Sequence, residues 1–196
     1  MVVDEINRHR LILASRSPRR QQLLNELGLH FEVVLNDWTE SYPPDLKGAE
    51  IALHVATEKA KALKSGIKDD EIILTADTIV WCNNRVLDKP SNRSDALRIL
   101  RQISGNTHEV ITAVCLLSAS NQTSFCSSTK VTFSELSEEE LNYYIDNFKP
   151  YDKAGAYGIQ EWIGIAACSS IEGSYFNVMG LPVEQVYHEL QKFIAK

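Results

Sequence analysis

Cysteine is scarce in this chain and poorly placed for joint chemistry. Cys82, Cys115, Cys126 and Cys168 are scattered, and no two form a C-x-x-C pair. That argues against a structural zinc site or a redox dithiol. Cys82 and Cys115 lie in apolar, strand-like runs and read as buried free thiols. Histidine is equally thin. His108, in Ser104-Gly105-Asn106-Thr107-His108, has no second histidine at metal-ligand spacing, so a structural hydrogen bond is its expected use. No apolar run approaches the ~20 residues of a membrane helix. Residues 1–10 are polar and lack the apolar core of a secretory signal. The expected compartment is the cytoplasm, with no membrane partner. Positive charge is in the minority: 20 Lys and Arg stand against 26 Asp and Glu, for a net charge of −6. That balance disfavours a nucleic-acid binder, which would carry a basic face. It leaves room for a small anionic ligand held where the positive charge is concentrated. Repeats, low-complexity tracts and Gly/Ser linkers are absent, so residues 1–196 read as one domain. G-x-S-x-G, Walker A and dinucleotide fingerprints are absent too, which weakens serine-hydrolase, P-loop and Rossmann readings.

What is present is the composition of a globular protein, 44% hydrophobic and 23% charged. Strand-like and helix-like patterns alternate early, which favours an α/β architecture. The spacing predicts a strand over 10–14, a helix over 18–27 stopped by Gly28, a strand over 31–35 and a long helix over 49–64 with Ile51, Val55, Ala62 and Leu63 inward. Residues 71–81 form the best strand. A helix over 94–103 follows, then strands near 109–117 and 124–133 joined as a hairpin across 118–123. Ser137 and Glu140 stand in reciprocal capping positions for another helix. Residues 163–171 read as strand-like, and 182–194 as a closing helix.

The densest segment is Ser15-Arg16-Ser17-Pro18-Arg19-Arg20, at a strand-to-helix turn. Ser17 can cap the helix, and Pro18 suits its first position. Hydroxyls, guanidiniums and unpaired N–H groups converging at a helix start describe a polyphosphate site; the same residues also suit an ordinary capped helix with its arginines in water. Asp77 sits inside the apolar strand, between Ile72-Ile73-Leu74-Thr75-Ala76 and Thr78-Ile79-Val80. A carboxylate there is costly without a metal, a cation or a proton to compensate. It can hold Mg²⁺ or accept a proton from water, or it can be a structural Asp bonded to loop N–H groups. Glu40 is a second carboxylate, on the loop after the second strand. Lys59 lies on a charged helix face, and Lys89 in Leu87-Asp88-Lys89-Pro90 can reach a phosphate or sit in a turn. In 151–160, Gly155, Gly158, Ala154 and Ala156 let a ligand approach the backbone. In the same stretch Lys153 can meet phosphate, and Gln160 offers the donor and acceptor that base recognition needs.

Together these segments resemble the Maf family of nucleotide pyrophosphatases. The matching pieces are Ser15 to Arg20, Ala76-Asp77-Thr78-Ile79-Val80, Lys89-Pro90, Ser104 to His108, Asp152 to Gln160, Glu172-Gly173-Ser174 to Asn177, and Gly180-Leu181-Pro182, in family order. The resemblance implies a mixed twisted sheet flanked by helices, with two lobes around a central cleft, of Maf/ITPase-like type. It implies hydrolysis of a nucleoside triphosphate to monophosphate and pyrophosphate with a divalent cation, Mg²⁺ or Mn²⁺. The Lys-Ala-Gly-Ala-Tyr-Gly-Ile-Gln loop is similar to that of enzymes acting on dTTP and UTP, along with some modified pyrimidine nucleotides. The alternatives are a 7-methyl-GTP or modified-purine enzyme of the same family, or a non-hydrolytic nucleotide sensor linked to septum formation. By the same resemblance, Asp77 falls on the proton acceptor and Glu40 on a position lining the cleft; the metal is expected at Asp77, with Glu40 nearby. Arg19, Thr78 and Gln160 fall on positions tied to substrate choice. Ser15, Arg20, Lys59 and Lys89 line the cleft, which Ser17 and Lys153 join as substrate-binding residues. A homodimer is a further expectation. Two residues depart from the family pattern: Thr39, where an acid is common, and Glu161, where glycine is usual. The N-terminal extension has no evident family role.

Overall fold

In a computed structural model, residues 2–35 and 40–195 are described. The elements run α1 (Val2–Ile6), β1 (Arg10–Leu13), α2 (Pro18–Glu26), β2 (Phe31–Val33), α3 (Ala49–Lys61), β3 (Glu71–Cys82), β4 (Arg85–Leu87), α4 (Arg93–Ile103), β5 (Thr107–Leu117), β6 (Gln122–Phe133), α5 (Glu138–Phe148), α6 (Trp162–Ala167), β7 (Cys168–Glu172), α7 (Tyr175–Met179) and α8 (Val183–Ile194). Among the described residues the strands form one seven-stranded sheet, ordered β2-β1-β3-β5-β6-β7, with β4 also on β3. β1 runs parallel to β2 and β3; the other pairings are antiparallel. The sheet is therefore mixed, as expected.

β3 organises the molecule. Its alternation sends Ile73 and Ile79 to one face, where they pack with Ile12, Ile111 and the α3 residues Ile51, Ala52, Val55, Ala56 and Ala60. Ile72, Leu74, Ala76 and Val80 go to the other face and meet residues of α2, α4, α5 and α8. Two apolar layers thus sandwich one sheet, as a strand period of two requires. One edge of β3 is fully paired with β5, from Ile73 to Trp81. On the other edge β1 pairs with residues 71–74 and β4 with residues 80–82. Between them, the backbone of residues 75–79 has no strand beside it among the described residues. Asp77 and Thr78 lie in that gap, on opposite faces of the strand.

Several expectations need adjustment. α3 ends at Lys61, so Ala62 lies beyond it and is exposed, Leu63 is half-buried, and Ala52, Ala56 and Ala60 complete the inward face. The 163–171 run is not one strand: it begins as α6 and pairs only from Cys168. A short apolar run does not separate helix from buried strand by periodicity. β3 and β4 form a further hairpin whose turn, Asn83-Asn84, has the two positive φ values (50° and 58°) of a type I′ turn. The N-terminal extension forms α1, whose Ile6 is buried and whose Val2 and Val3 pack against the core. Just after α1, Asn7 accepts from the His30 N–H and donates to the Gly28 carbonyl, fastening the turn after α2.

Candidate active site

A cleft of about 860 Å³ opens at the gap in β3. Ser15, Ser17, Arg19, Arg20, Glu40, Lys59, Asp77, Thr78, Lys89, Lys153 and Gln160 all line it. Segments spread from residue 15 to residue 160 are brought together because β1, β3 and α3 are neighbours and the 151–161 loop lies across β3. Thr39, beside Glu40, lies outside the described residues.

On the α3 face, Lys59 reaches from the last turn of its helix to Asp77. Its ammonium donates to Asp77 Oδ1 at 2.8 Å and to Glu40 Oε1 at 2.6 Å. Asp77 is 8% exposed, so this ammonium is the compensating charge that the apolar strand demanded. Burial pushes Glu40 up, but the hydrogen bond and charge of Lys59, with Lys89 and Arg20 farther off, outweigh it and hold the carboxyl below its usual value. Among the described residues, the second oxygen of each carboxylate carries no protein hydrogen bond.

On the opposite face the Ser15–Arg20 turn folds as its residues require. Pro18 opens α2, and the Ser17 hydroxyl caps it by accepting from the Arg20 N–H. The Arg20 guanidinium is turned into the protein. Nε donates to the Gly180 carbonyl at 2.9 Å, Nη1 to the Ala76 carbonyl at 2.8 Å and to Ser15 Oγ at 3.3 Å, and Nη2 to Thr78 Oγ1 at 3.0 Å. Burial draws its pKa down, and the charge of Asp77 pushes it back up. Arg20 therefore acts first as a bracket across the gap, joining α2, β3 and the loop after α7. Thr78 belongs to the same bracket: its hydroxyl is also 2.9 Å from that of Thr112, which donates to the Asn177 carbonyl. The 172–182 motif thereby forms the rear wall, with Ser174 capping α7 and Gly180 in left-handed backbone.

Lys89 and Gln160 are exposed at the rim, and neither makes a side-chain hydrogen bond to a described residue. Lys153 is different. It is 9% exposed, and its ammonium is shared by Asp152, at 2.8 Å, and Glu161, at 3.1 Å. The small residues around it serve packing as much as access. Gly155 is buried with φ of +68°, and a Cβ there would lie 2.8 Å from Val80 Cγ2. His108 makes the expected structural bond, Nε2 lying 2.8 Å from the Tyr157 hydroxyl. Cys82 and Cys115 are buried and free.

Cleft-lining residues that sequence reasoning passed over include Asp88, Asp152 and Tyr42. Burial, then the charges of Asp95 and Glu40, push Asp88 up. Its position beside Lys89 was the available signal. Among the described residues the cleft collects six cations (Arg16, Arg19, Arg20, Lys59, Lys89, Lys153) against four carboxylates (Glu40, Asp77, Asp88, Asp152). In a protein of net charge −6 this is a local reversal of sign, the electrostatic footprint of an anion site.

No helix among the described residues is long and apolar enough to cross a membrane. Curated relatives match over nearly the whole chain. A protein of Phocaeicola vulgatus named dTTP/UTP pyrophosphatase is 52% identical over 97% of this chain and 100% of its own length. One of the same name from Flavobacterium johnsoniae is 50% identical over 99% and 100%. A solved structure described as nucleoside-triphosphatase / dITP/XTP pyrophosphatase, from Mycobacterium abscessus, aligns with 95% of this chain and 96% of its own at 15% identity and a TM-score of 0.41, too distant to inform the site. The profile of the family described as Maf, Maf-like protein, matches residues 10–193, and the chain belongs to that family.

Proposed function

We propose that the cleft hydrolyses dTTP and UTP to the nucleoside monophosphate and pyrophosphate. The observation that carries this reading is the Asp77–Lys59–Glu40 cluster, facing the Ser15–Arg20 turn across a strand gap inside a locally cationic cleft. The names of the full-length relatives supply the substrate pair.

The mechanism follows from what each side chain has free. Asp77 spends one oxygen on Lys59 and keeps the other to take a proton from an attacking water. The water oxygen bonds to the α-phosphorus, and the bond from that phosphorus to the α–β bridging oxygen breaks. Pyrophosphate leaves with the bridging oxygen. Lys89 and Arg19 meet the phosphates from the rim and the helix start, and Lys59 neutralises charge from the α3 side. Arg20 contributes its charge and fixes the shape of the turn. Gln160 reads the pyrimidine edge with its amide.

A divalent cation belongs to this reading, and the residues suit one. Asp77 and Glu40 are hard oxygen donors on one cleft wall, although no cluster of three His, Cys, Asp or Glu side chains occurs among the described residues. Two carboxylates completed by substrate phosphates and water form a usual Mg²⁺ environment. When bound, the cation supplies charge neutralisation and polarisation of the attacked phosphoryl group.

The test is pyrophosphate release from a panel of dTTP, UTP, CTP and 7-methyl-GTP, with Mg²⁺, with Mn²⁺ and with chelator. The expected result is metal-dependent release favouring dTTP and UTP. Preference for 7-methyl-GTP moves the chain to another substrate class. Tight UTP binding without pyrophosphate release makes it a nucleotide sensor, and release from no member of the panel overturns the assignment.

A further inference from the structure

Behind the rim loop lies a polar cluster that the proposed chemistry does not use. Tyr144, on α5, is 0% exposed, and its hydroxyl sits between two groups. It accepts from the backbone N–H of Gly158 at 3.0 Å and donates to Glu161 Oε2. Burial and the Glu161 carboxylate push the phenol pKa upward, so it stays a donor at any working pH. The other oxygen of Glu161 pairs with Lys153 at 3.1 Å, and Lys153 pairs in turn with Asp152, whose second oxygen lies 3.6 Å from Arg19. The cluster grips the loop at residue 153, at residue 158 and at residue 161, and Gln160 lies inside the last two grips. Glu161 immediately precedes α6, whose Gly164 lies so close to Ile159 that a Cβ there would be 1.9 Å from the Ile159 carbonyl oxygen.

We propose that Tyr144 and Glu161 are positioning residues for base selection: their bond fixes the backbone on either side of Gln160 and holds Lys153 away from the phosphates as a strut. Neither side chain lines the cleft. Gln160 has no side-chain bond of its own among the described residues, so its aim is set by the backbone that carries it. Glycine, the residue expected at 161 from the family resemblance, could supply neither bond. The inference rests on the pyrimidine-triphosphatase reading for the choice of probe alone.

The test is the affinity of the non-hydrolysable α,β-imido analogues of UTP and CTP, measured by calorimetry, alongside kcat and KM for UTP and CTP. Tyr144→Phe keeps the ring and removes the hydroxyl. It is expected to weaken the UTP analogue about tenfold and to raise KM with little change in kcat, since binding common to ground and transition states is lost. The UTP preference over CTP should fall by a similar factor. Glu161→Ala should reproduce the shift, and combining the two should add nothing, as for two ends of one interaction. In a Gln160→Ala background, Tyr144→Phe should no longer alter base preference. Unchanged affinity and preference overturn the proposal. So does an equal loss for both nucleotides that persists without Gln160, the mark of a merely structural role. A wild-type protein that binds the UTP analogue but releases no pyrophosphate refutes the proposed activity and leaves the binding test of this clamp intact.

Discussion

Replacing Arg20 with lysine keeps the charge of the turn and removes its fork. Arg20 makes four hydrogen bonds, to the Ser15 and Thr78 hydroxyls and to the Ala76 and Gly180 carbonyls. A lysine ammonium is a single point of donation, and from the helix start it cannot span acceptors on β3 and on the loop after α7 together. Two of the four bonds are expected to be lost. Hydrogen bonds to charged groups contribute roughly 1.5–3 kcal/mol each. Arg20 is only partly buried, so water recovers some of that loss and the net cost is about 3 kcal/mol. For a chain of this size such a loss lowers the melting temperature by roughly 6–12 °C. Calorimetry of Arg20→Lys against wild type measures it. A melting point within about 2 °C of wild type, below the ~1 kcal/mol equivalent, would show that the bracket holds nothing together. The cleft chemistry would then have to explain this arginine alone.

Other perturbations separate the remaining parts of the account. Burial pulls the pKa of His108 down to about 4 from its ordinary 6.5. The unfolded chain therefore binds the extra proton first, and the stability held above pH 6.5 is lost as pH falls toward 4, by on the order of 3 kcal/mol. Urea melts at pH 7 and pH 5 should show this slope in wild type and a shallower one in His108→Gln. Lys59→Met leaves the Asp77 and Glu40 carboxylates facing each other without their shared ammonium. Because Glu40 is half-exposed, the expected loss is about 2 kcal/mol in urea unfolding, below the 3–5 kcal/mol of a fully buried pair. Gly164→Ala drives a Cβ into the Ile159 carbonyl, and should cost at least ~2 kcal/mol in thermal melting and weaken nucleotide binding at Gln160.

Much of the fold could be read along the chain, because its signals are local. Ser137 and Glu140 form the capping box their spacing announced, and Ser17 caps α2 behind Pro18. Asp77 stood out as a carboxylate in an apolar strand, and alternation alone places it on the Ile73–Ile79 face. Its partner was not legible as a contact, since nothing local says that α3 packs on that face with Lys59 one reach away. The Arg20 bracket was hidden for the same reason. Its acceptors lie on β3 and at Gly180, far off in sequence, so the arginine read simply as a phosphate ligand. The pairing of Lys153 with Glu161 is not legible either, because nothing local in the 151–161 loop says that the two side chains meet. The 163–171 run is ambiguous because a short apolar run suits a strand as well as a buried helix, and periodicity does not mark the change at Cys168.

If the Asp77 carboxylate performs the chemistry, pyrophosphate release from UTP by Asp77→Asn, with thermal melting in parallel, reads it out. Asparagine keeps the shape and loses the proton acceptor. The expected variant is a folded protein that still binds UTP and turns over about a hundredfold or more slowly, the scale of one well-placed electrostatic or proton-transfer group. Wild-type turnover by a folded Asp77→Asn protein would contradict it.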